Sequence, residues 1–179
     1  MKKNEVNEDN VKNNRVNNTL KELIPYLIIV VVVVLVRTFL FTPIRVNGDS
    51  MYDTLNDGDT MILNKIGMKL NDIERFQIVV IKTHDTYLIK RIIGLPGETI
   101  EYKDGKLYIN NKIMKDPYFK DNNTNDFEKV KIPKNHYYVM GDNRSVSIDS
   151  RLIGTVDIND IMGTTKLVLF PFSDFGIVD

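Results

Sequence analysis

Two side chains in this sequence have the chemistry of acyl transfer, a serine in a turn and a lysine in an apolar run. Lys90 lies within the stretch Tyr87–Leu95, where strand alternation would place Leu88, Lys90 and Ile92 on one face. Burial among aliphatic side chains disfavours the charged ammonium and can lower the pKa of a lysine by up to about 3–5 units. The neutral amine could then act as the general base for Ser50, the hydroxyl in a Gly-Asp-Ser-Met turn.

Each of these two residues also has an ordinary structural explanation. Lys90 could be a charge that blocks aggregation at the edge of a sheet, although the neighbouring Arg91 would already serve that purpose. Gly-Asp-Ser is common turn chemistry, because Asp and Ser side chains bond to nearby backbone groups. Neither residue indicates catalysis by itself.

A third segment, Gly141–Arg151, strengthens the catalytic interpretation because it concentrates hydroxyl, carboxylate and guanidinium groups. In an extended conformation Ser147, Asp149 and Arg151 would share a face. The carboxylate and the guanidinium could then pair, and the hydroxyl would be free to orient an amine. The alternative is a solvated polar loop, since Asp, Asn, Ser and Gly commonly form turns.

The composition excludes several other kinds of site. The chain has no cysteine, which removes thiol catalysis, disulfides and cysteine-bound metals. It has 24 basic and 24 acidic residues and no basic stripe interleaved with aromatic residues, which argues against nucleic-acid binding. His84 and His136 have no partners at a ligand spacing, and the acidic residues from Asp49 to Asp59 lack the spacing of a calcium loop. We therefore predict no metal and no cofactor.

A long apolar run predicts a membrane anchor. As a helix, Leu23–Phe41 would span about 28 Å, close to the roughly 30 Å hydrocarbon core of a bilayer. Arg37 lies near its far end, where the side chain can reach the interface. Basic residues are concentrated before the run, which predicts a cytoplasmic amino terminus. No small-residue cleavage site follows it, so a permanent anchor is favoured over a signal peptide, with a buried element of a soluble core as the alternative.

This anchor defines the predicted domain organisation. Residues 1–22 would form a cytoplasmic leader that is Asn-rich and charged, and that is either disordered or a frayed extension of the helix. Residues 23–41 would form a transmembrane helix, and residues 42–179 an extracytoplasmic domain. The protein is thus predicted to cross the cell membrane once and to have the lipid bilayer as a partner.

Beyond the anchor, short apolar runs bounded by turn residues predict a mainly β domain. Asp104-Gly105 is a strong signal for a two-residue hairpin. The stretch Lys115–Glu128 is polar and without periodicity, and it predicts a mobile loop in a small lobe at about 99–129, inserted between core segments 42–98 and 130–179. The predicted strands are Ile44–Val46, Thr60–Asn64, Gln77–Thr83, Tyr87–Leu95, Thr99–Lys103, Lys106–Asn110, Val130–Ile132, His136–Met140, Leu152–Val156 and Lys166–Phe170.

Three ordered motifs after an apolar anchor give the sequence a family resemblance. They are Ser50–Leu55, Tyr87–Glu98 and Gly141–Gly154. Together they resemble the type I signal peptidases, membrane-bound serine proteases that remove signal peptides from exported proteins, and most of all the Gram-positive bacterial members. The resemblance covers the chain from about Leu23 onward. It implies an antiparallel β-domain with a small inserted β lobe, and signal peptides of exported preproteins as partners.

The resemblance also implies roles for individual residues. Ser50 matches the nucleophile, Lys90 the general base and Ser147 the residue that orients the lysine amine, with no metal involved. The charged residues that brace this region are matched by Asp142, Arg91, Asp149 and Arg151. The shallow substrate pockets for small side chains are matched by Ile44, Val46, Met51, Leu88 and Ile89. Small residues are therefore expected at the −1 and −3 positions of the substrate.

The sequence departs from the family pattern at a few positions. Gly48 stands where other members have a serine hydroxyl that completes the oxyanion hole, Asp53 stands for a usual proline, Phe76-Gln77 for Gly-Asp, and Val146 for an asparagine. Two other interpretations therefore stay open. One is a self-cleaving Ser/Lys repressor-type protease, against which the anchor argues. The other is a non-catalytic, membrane-anchored β-domain for binding or scaffolding.

Overall fold

The amino-terminal part of the chain is helical where the structure describes it. The computed structural model describes residues 21–34, 41–65, 73–84, 86–119 and 124–178, and the chain divides into two compact units, residues 1–40 and 41–179. In the first unit, residues 21–34 form helix α1, whose apolar side chains are exposed. Within these described ranges, no helix combines the length and the apolar character needed to cross a membrane.

The predicted end of the anchor needs correction. Residues 1–20 of the leader and 35–40 of the anchor lie outside the described residues, and positions 21 and 22 of the leader belong to helix α1. Phe41, predicted as the last residue of the anchor, is the first residue of strand β1, Phe41–Arg45. The reason is pairing, since Phe41 already lies opposite Asn64 in an antiparallel ladder.

The second unit is built mainly from antiparallel strands, as predicted. The strands of its larger sheet are β1, β2 Thr60–Asn64, β3 Ile78–Lys82, β4 Tyr87–Gly94, β9 His136–Met140, β10 Val156–Asp157, β11 Ile161–Phe170 and β12 Gly176–Ile177. Their order is β1-β2-β11-β3-β4-β9-β10, and β12 pairs with β11. Strands that are distant in sequence therefore lie side by side, and β4 is an interior strand between β3 and β9.

A smaller sheet is formed by the segment between β4 and β9. Its strands are β5 Thr99–Lys103, β6 Lys106–Ile109, β7 Lys112–Met114 and β8 Phe127–Lys131, in the order β7-β6-β5-β8. Asp104 and Gly105 form the predicted two-residue hairpin between β5 and β6. Their φ angles of 51° and 68° are the positive values that this class of turn requires.

Apolar side chains cover both faces of the larger sheet at β3 and β4. In β3, Val79 belongs to one buried cluster and Ile78 to another on the opposite side. In β4, Ile92 and Ile93 likewise belong to different clusters. Burial on both faces explains why these two strands are continuous apolar runs rather than alternating ones. Two charged residue types in the middle of β4, Lys90 and Arg91, are the exceptions.

Several strand predictions are confirmed to the residue, and one is wrong. The confirmed strands are Thr60–Asn64, Thr99–Lys103 and His136–Met140. The prediction of a strand over Leu152–Val156 fails because Ser150–Ile153 forms a short helix, α2. Asp149 precedes this helix in extended conformation, and its carboxylate accepts a hydrogen bond from the Arg151 N–H. This is the geometry of an N-cap, which starts a helix irrespective of the apolar residues that follow.

Candidate active site

Ser50 lies in the connection between β1 and β2, in a segment we call the serine turn, residues 48–55. The backbone of this turn is closed by a hydrogen bond from the Leu55 N–H to the Met51 carbonyl at 2.8 Å. Met51 and Leu55 are fully buried and fix the turn onto the larger sheet. The other buried members of this serine-side cluster are Val46, Met61, Ile78 and Val168.

The structure brings Ser50 and Lys90 into direct contact. Lys90 Nζ donates a hydrogen bond to Ser50 Oγ at 2.7 Å and another to the Ile89 carbonyl at 3.0 Å. Lys90 lies in β4 opposite Val79 of β3, and only 2% of its surface is exposed. A buried amine at this distance from a hydroxyl can take the proton of that hydroxyl if the amine is neutral.

Burial lowers the pKa of Lys90 to about 8, since it removes the water that would stabilise the ammonium. Asp149 and Asp142 oppose this shift, because their negative charges favour the protonated lysine. Burial outweighs them. A substantial fraction of Lys90 is therefore neutral at mildly alkaline pH.

The polar loop, residues 141–149, packs directly against the serine turn. Asn143 N–H donates to the Ser50 carbonyl at 3.1 Å. At Gly141, a Cβ atom would stand 2.3 Å from the Ser50 carbonyl oxygen and 2.4 Å from Ser147 Oγ. Only glycine fits there, so the loop and the backbone of Ser50 are in close contact.

Arg91 and Asp142 form a buried ion pair that joins β4 to the polar loop. Arg91 Nε and Nη2 donate to the two carboxylate oxygens of Asp142 at 2.8 and 2.7 Å. Thr54, in the serine turn, donates its hydroxyl to the same carboxylate at 2.6 Å. This contact was not predicted, although Thr54 lies inside the first sequence motif, and it ties the serine turn to the ion pair.

Asp149 and Arg151 also pair, but not in the extended conformation that the sequence suggested. Asp149 caps α2, and Arg151 folds back from the first turn of that helix to donate from Nε and Nη2 at 2.8 Å each. Burial alone would raise the pKa of Asp149, but the bonds from Arg151 and from the Gly141 N–H hold that pKa below its usual value. The carboxylate is therefore ionised.

Ser147 lies beside the site but does not make the predicted contact with the Lys90 amine. Its hydroxyl is buried and has no hydrogen-bond partner in the described part of the chain, although it is near enough to the Asp149 carboxylate to help lower the pKa of that group. Lys90 donates to Ser50 and Ile89 and not to Ser147. The orienting role of Ser147 thus stays a prediction.

The predicted pocket residues divide into two groups. Val46 and Met51 are buried in the serine-side cluster, and Ile44 and Ile89 pack half-buried at its edge. Leu88 instead packs against the cluster that contains Val79 and Ile92. The structure thus gathers four of the five pocket residues on the side of Ser50.

The backbone around Ser50 bears on the oxyanion hole. Among the described residues, none accepts a hydrogen bond from the Ser50 N–H. Gly48 has φ = +82°, and its N–H donates to Asp57 Oδ1 at 2.7 Å.

Asp53 has φ = +81°, a left-handed value that proline, with φ near −65°, cannot adopt. The replacement of the usual proline by aspartate therefore fits the conformation of this turn.

Sequence reasoning missed a set of contacts from the polar stretch predicted as a mobile loop. Asp116 is buried in an ion pair with Arg144 at 2.6 Å. The ring of Tyr118 lies 3.3 Å below the guanidinium carbon of Arg91. The end of the same stretch, from Phe127, forms β8, while residues 120–123 lie outside the described residues. No periodicity could have revealed these contacts, because each depends on one side chain.

The described residues hold no group of three or more His, Cys, Asp or Glu side chains arranged to bind a metal ion. His136 lies 3.8 Å from Asp157 at the end of β9, in a pair joined by neighbouring strands. Neither residue contacts Ser50 or Lys90.

Comparison with known proteins identifies a matching family. A family model described as "Signal peptidase, peptidase S26" matches residues 19–170. This range includes both residues of the hydrogen-bonded pair and the whole polar loop.

Two relatives agree with this match in sequence. A signal peptidase I from Bacillus amyloliquefaciens is 45% identical over 161 residues, with 83% of each chain covered. Signal peptidase IB from Staphylococcus aureus strain Mu50 is 37% identical over 180 residues, which cover 87% of this chain and 93% of that protein. A crystal structure of a signal peptidase I from Enterococcus faecalis V583 is 33% identical, with a TM-score of 0.48, and covers 52% of this chain and 97% of that one.

The lowered pKa of Lys90 predicts the pH dependence of Ser50 reactivity. Only the neutral amine accepts a proton, so acylation of Ser50 by an activated ester should rise with pH and level off above the lysine pKa of about 8. Well below pH 8, the rate should fall about tenfold per pH unit. Mass spectrometry of the acylated protein measures this rate. A midpoint near the ordinary lysine value of about 10.4 would contradict the assignment.

Proposed function

We propose, on the premise that this chain belongs to the peptidase S26 family of signal peptidases, that Ser50 is its nucleophile and Lys90 its general base. The chain is a serine endopeptidase that removes signal peptides from exported proteins. The observation that carries the assignment of the dyad is the 2.7 Å hydrogen bond between Lys90 Nζ and Ser50 Oγ, with the lysine buried.

In the proposed reaction, neutral Lys90 accepts the Ser50 proton as Oγ attacks the carbonyl carbon of the scissile peptide. The C–N bond then breaks, and the departing amine takes the proton from the Lys90 ammonium. An ester on Ser50 remains. Lys90 next accepts a proton from water as the water oxygen attacks the ester carbonyl. The C–O bond to Ser50 Oγ then breaks, the Lys90 ammonium returns the proton to Oγ, and the acid product leaves. In our proposal, the Ser50 N–H stabilises the oxygen that becomes negative in both steps.

Ser147 supports this reaction in our proposal by orienting the Lys90 amine. The Ser147 hydroxyl is buried and has no hydrogen-bond partner within the described ranges, which is uncommon for a buried hydroxyl in folded proteins. The polar loop holds Ser147 next to Gly141, which itself touches the Ser50 carbonyl. The hydroxyl is thus available at the place where the lysine must release and accept protons.

Single substitutions test the dyad. Ser50→Ala and Lys90→Ala should each lower kcat/KM on a signal-peptide substrate by roughly 10⁴-fold or more, because nucleophile and base act as a unit. Lys90→Arg should not restore activity, since guanidinium stays charged. Circular dichroism checks folding.

Two exposed residues provide matched controls, Ser173→Ala and Lys82→Ala. Both should keep kcat/KM within about twofold, as surface substitutions away from a site usually do. Near-normal turnover by folded Lys90→Ala protein would remove lysine from the mechanism.

We also propose that the substrate pockets open on the edge of the serine-side cluster. Ile44 and Ile89 are half-buried there, whereas Val46 and Met51 are covered and can form only the floor. Aliphatic and thioether side chains offer no partner for a polar or charged substrate group. Strand alternation would turn the −1 and −3 side chains of an extended substrate toward the protein and the −2 side chain away.

A substrate series tests this pocket assignment. Alanine at −1 and −3 should be cleaved well, −2 should tolerate large residues, and phenylalanine or lysine at −1 should lower kcat/KM by about 10²-fold. Ile44→Ala enlarges the pocket, so it should reduce the difference in kcat/KM between substrates with alanine and with a larger aliphatic residue at −1. Equal rates for alanine and phenylalanine at −1 in the unmodified enzyme would show that the assignment is wrong.

The apolar run that begins at Leu23 and ends before Phe41 is, in our proposal, a membrane anchor. Within helix α1 the consecutive residues Tyr26–Val34 are all largely exposed. An exposed apolar surface of this kind is unfavourable in water and suits a lipid environment. The basic residues before it support a cytoplasmic amino terminus.

Protease protection tests this topology. In intact spheroplasts, protease added from outside should digest the unit from Phe41 onward, because that unit would lie on the outer face. A cytoplasmic protein serves as the control for intact cells. If the β unit is protected until the membrane is opened with detergent, the proposed orientation is wrong.

A further inference from the structure

We propose that Asp116 is a positioning residue for the Ser50–Lys90 pair and that it acts through Arg144. Asp116 lies outside all three catalytic motifs, in the connection that follows β7 of the smaller sheet. This inference rests on the proposed function, since it concerns the geometry of that dyad. It assigns the smaller sheet a part in the reaction.

Arg144 is the residue that holds the polar loop in shape. Its Nε donates to the Gly141 carbonyl at 2.8 Å, and its own carbonyl accepts from Arg151 Nη2 at 2.7 Å. Gly141 in turn touches the Ser50 carbonyl and the Ser147 hydroxyl, with no room for a Cβ atom. A shift of the Arg144 guanidinium would therefore move the backbone of Gly141, against which Ser50 is packed.

Asp116 fixes that guanidinium from the opposite side. Arg144 Nη2 donates to Asp116 Oδ2 at 2.6 Å, and both side chains are only 3% exposed. Arg144 Nη1 also points at the Tyr102 hydroxyl at 3.4 Å. Among the described residues that this guanidinium contacts, Asp116 is the partner with a negative charge. A buried charge without its partner is strongly unfavourable. The position of Arg144, and with it that of Gly141, thus depends on Asp116.

The same segment also contacts the second arginine that holds the polar loop. The Tyr118 ring lies under the guanidinium of Arg91, which binds Asp142 and, through it, Thr54 of the serine turn. The short segment after β7 therefore contacts both arginines. Arg144 is linked to Ser50 through Gly141, and Arg91 is linked to the serine turn through Asp142. Buried ion pairs are weak evidence for stability, but they do fix geometry when their partners are held.

The variant Asp116→Asn tests this inference, because it keeps the shape of the side chain and removes its charge. On a signal-peptide substrate we expect kcat to fall about tenfold or more with KM within about twofold, as for a misplaced reacting group. The acidic limb of the pH–kcat profile should also move to higher pH. A loosened loop admits water to Lys90, and burial is the main cause of its lowered pKa.

Two variants serve as controls. Glu101→Gln removes another ion pair of the smaller sheet, with Lys129 at 3.8 Å, and both of its residues lie outside the three motifs. It should leave kcat and the pH profile unchanged. Asp116→Glu keeps the charge and should recover much of kcat. If Asp116→Asn behaves like Glu101→Gln, with unchanged kcat and an unchanged pH midpoint, the inference is overturned.

A further variant keeps the inference testable if Asp116→Asn does not fold. Arg144→Lys retains a cation for Asp116 but loses the Nε bond to the Gly141 carbonyl, so kcat should fall with the same shift of the pH midpoint. Unchanged kcat would refute the inference. Lys90→Ala separates this result from the proposed function. If that variant is active the dyad itself is wrong, and if it is inactive while Asp116→Asn is normal, only the role of Asp116 fails.

Discussion

The rest of the site depends on the burial of one amine. A lysine is useful as a base only while it is neutral, and its position in the middle of β4 is what lowers its affinity for a proton. The negative charges of Asp149 and Asp142 raise the pKa of Lys90 and so oppose the effect of burial. Each carboxylate is bound by its own guanidinium, Asp142 by Arg91 and Asp149 by Arg151. The arginines thus offset the negative charge that the polar loop brings to the lysine. The carboxylates can therefore organise the backbone of the polar loop while the pKa of Lys90 stays lowered.

The sheet supplies the rigidity that such a pair of residues needs. β4 carries residues that pack in three different apolar clusters, so a displacement of this strand would disturb all of them. The serine turn is fastened to the same structure by Met51 and Leu55, both fully buried. The nucleophile and the base thus lie on elements whose positions are fixed by packing. The polar groups around them then need to fix only the orientation of the two side chains. This division of roles agrees with the general finding that precise sites are built on rigid elements.

The sequence predicted the parts of the fold and site that repeat or follow a local rule. Apolar runs located β2, β5 and β9, the Asp-Gly pair located a hairpin, and alternation placed Lys90 in a buried strand. The strand expected after Arg151 turned out to be a helix because one carboxylate caps it, a choice decided by a single side chain. The burial of Asp116 could not have been predicted, since its partner Arg144 is 28 positions away and nothing in a polar stretch marks which carboxylate is covered. Side-chain pairs of this kind become visible only once the strands have brought them together.

The left-handed backbone at Asp53 limits how far the family pattern can be transferred to this chain. Consensus design commonly raises thermal stability by restoring the residue that most relatives carry, and a proline in a turn is an attractive candidate because it reduces the entropy of the unfolded chain. With φ = +81° at Asp53, a ring that enforces φ near −65° would instead force the segment beside Ser50 to rebuild. Asparagine or glycine, which accept this conformation, are the substitutions compatible with the turn as it stands. The backbone beside Ser50 thus excludes the proline that the family pattern would place at position 53.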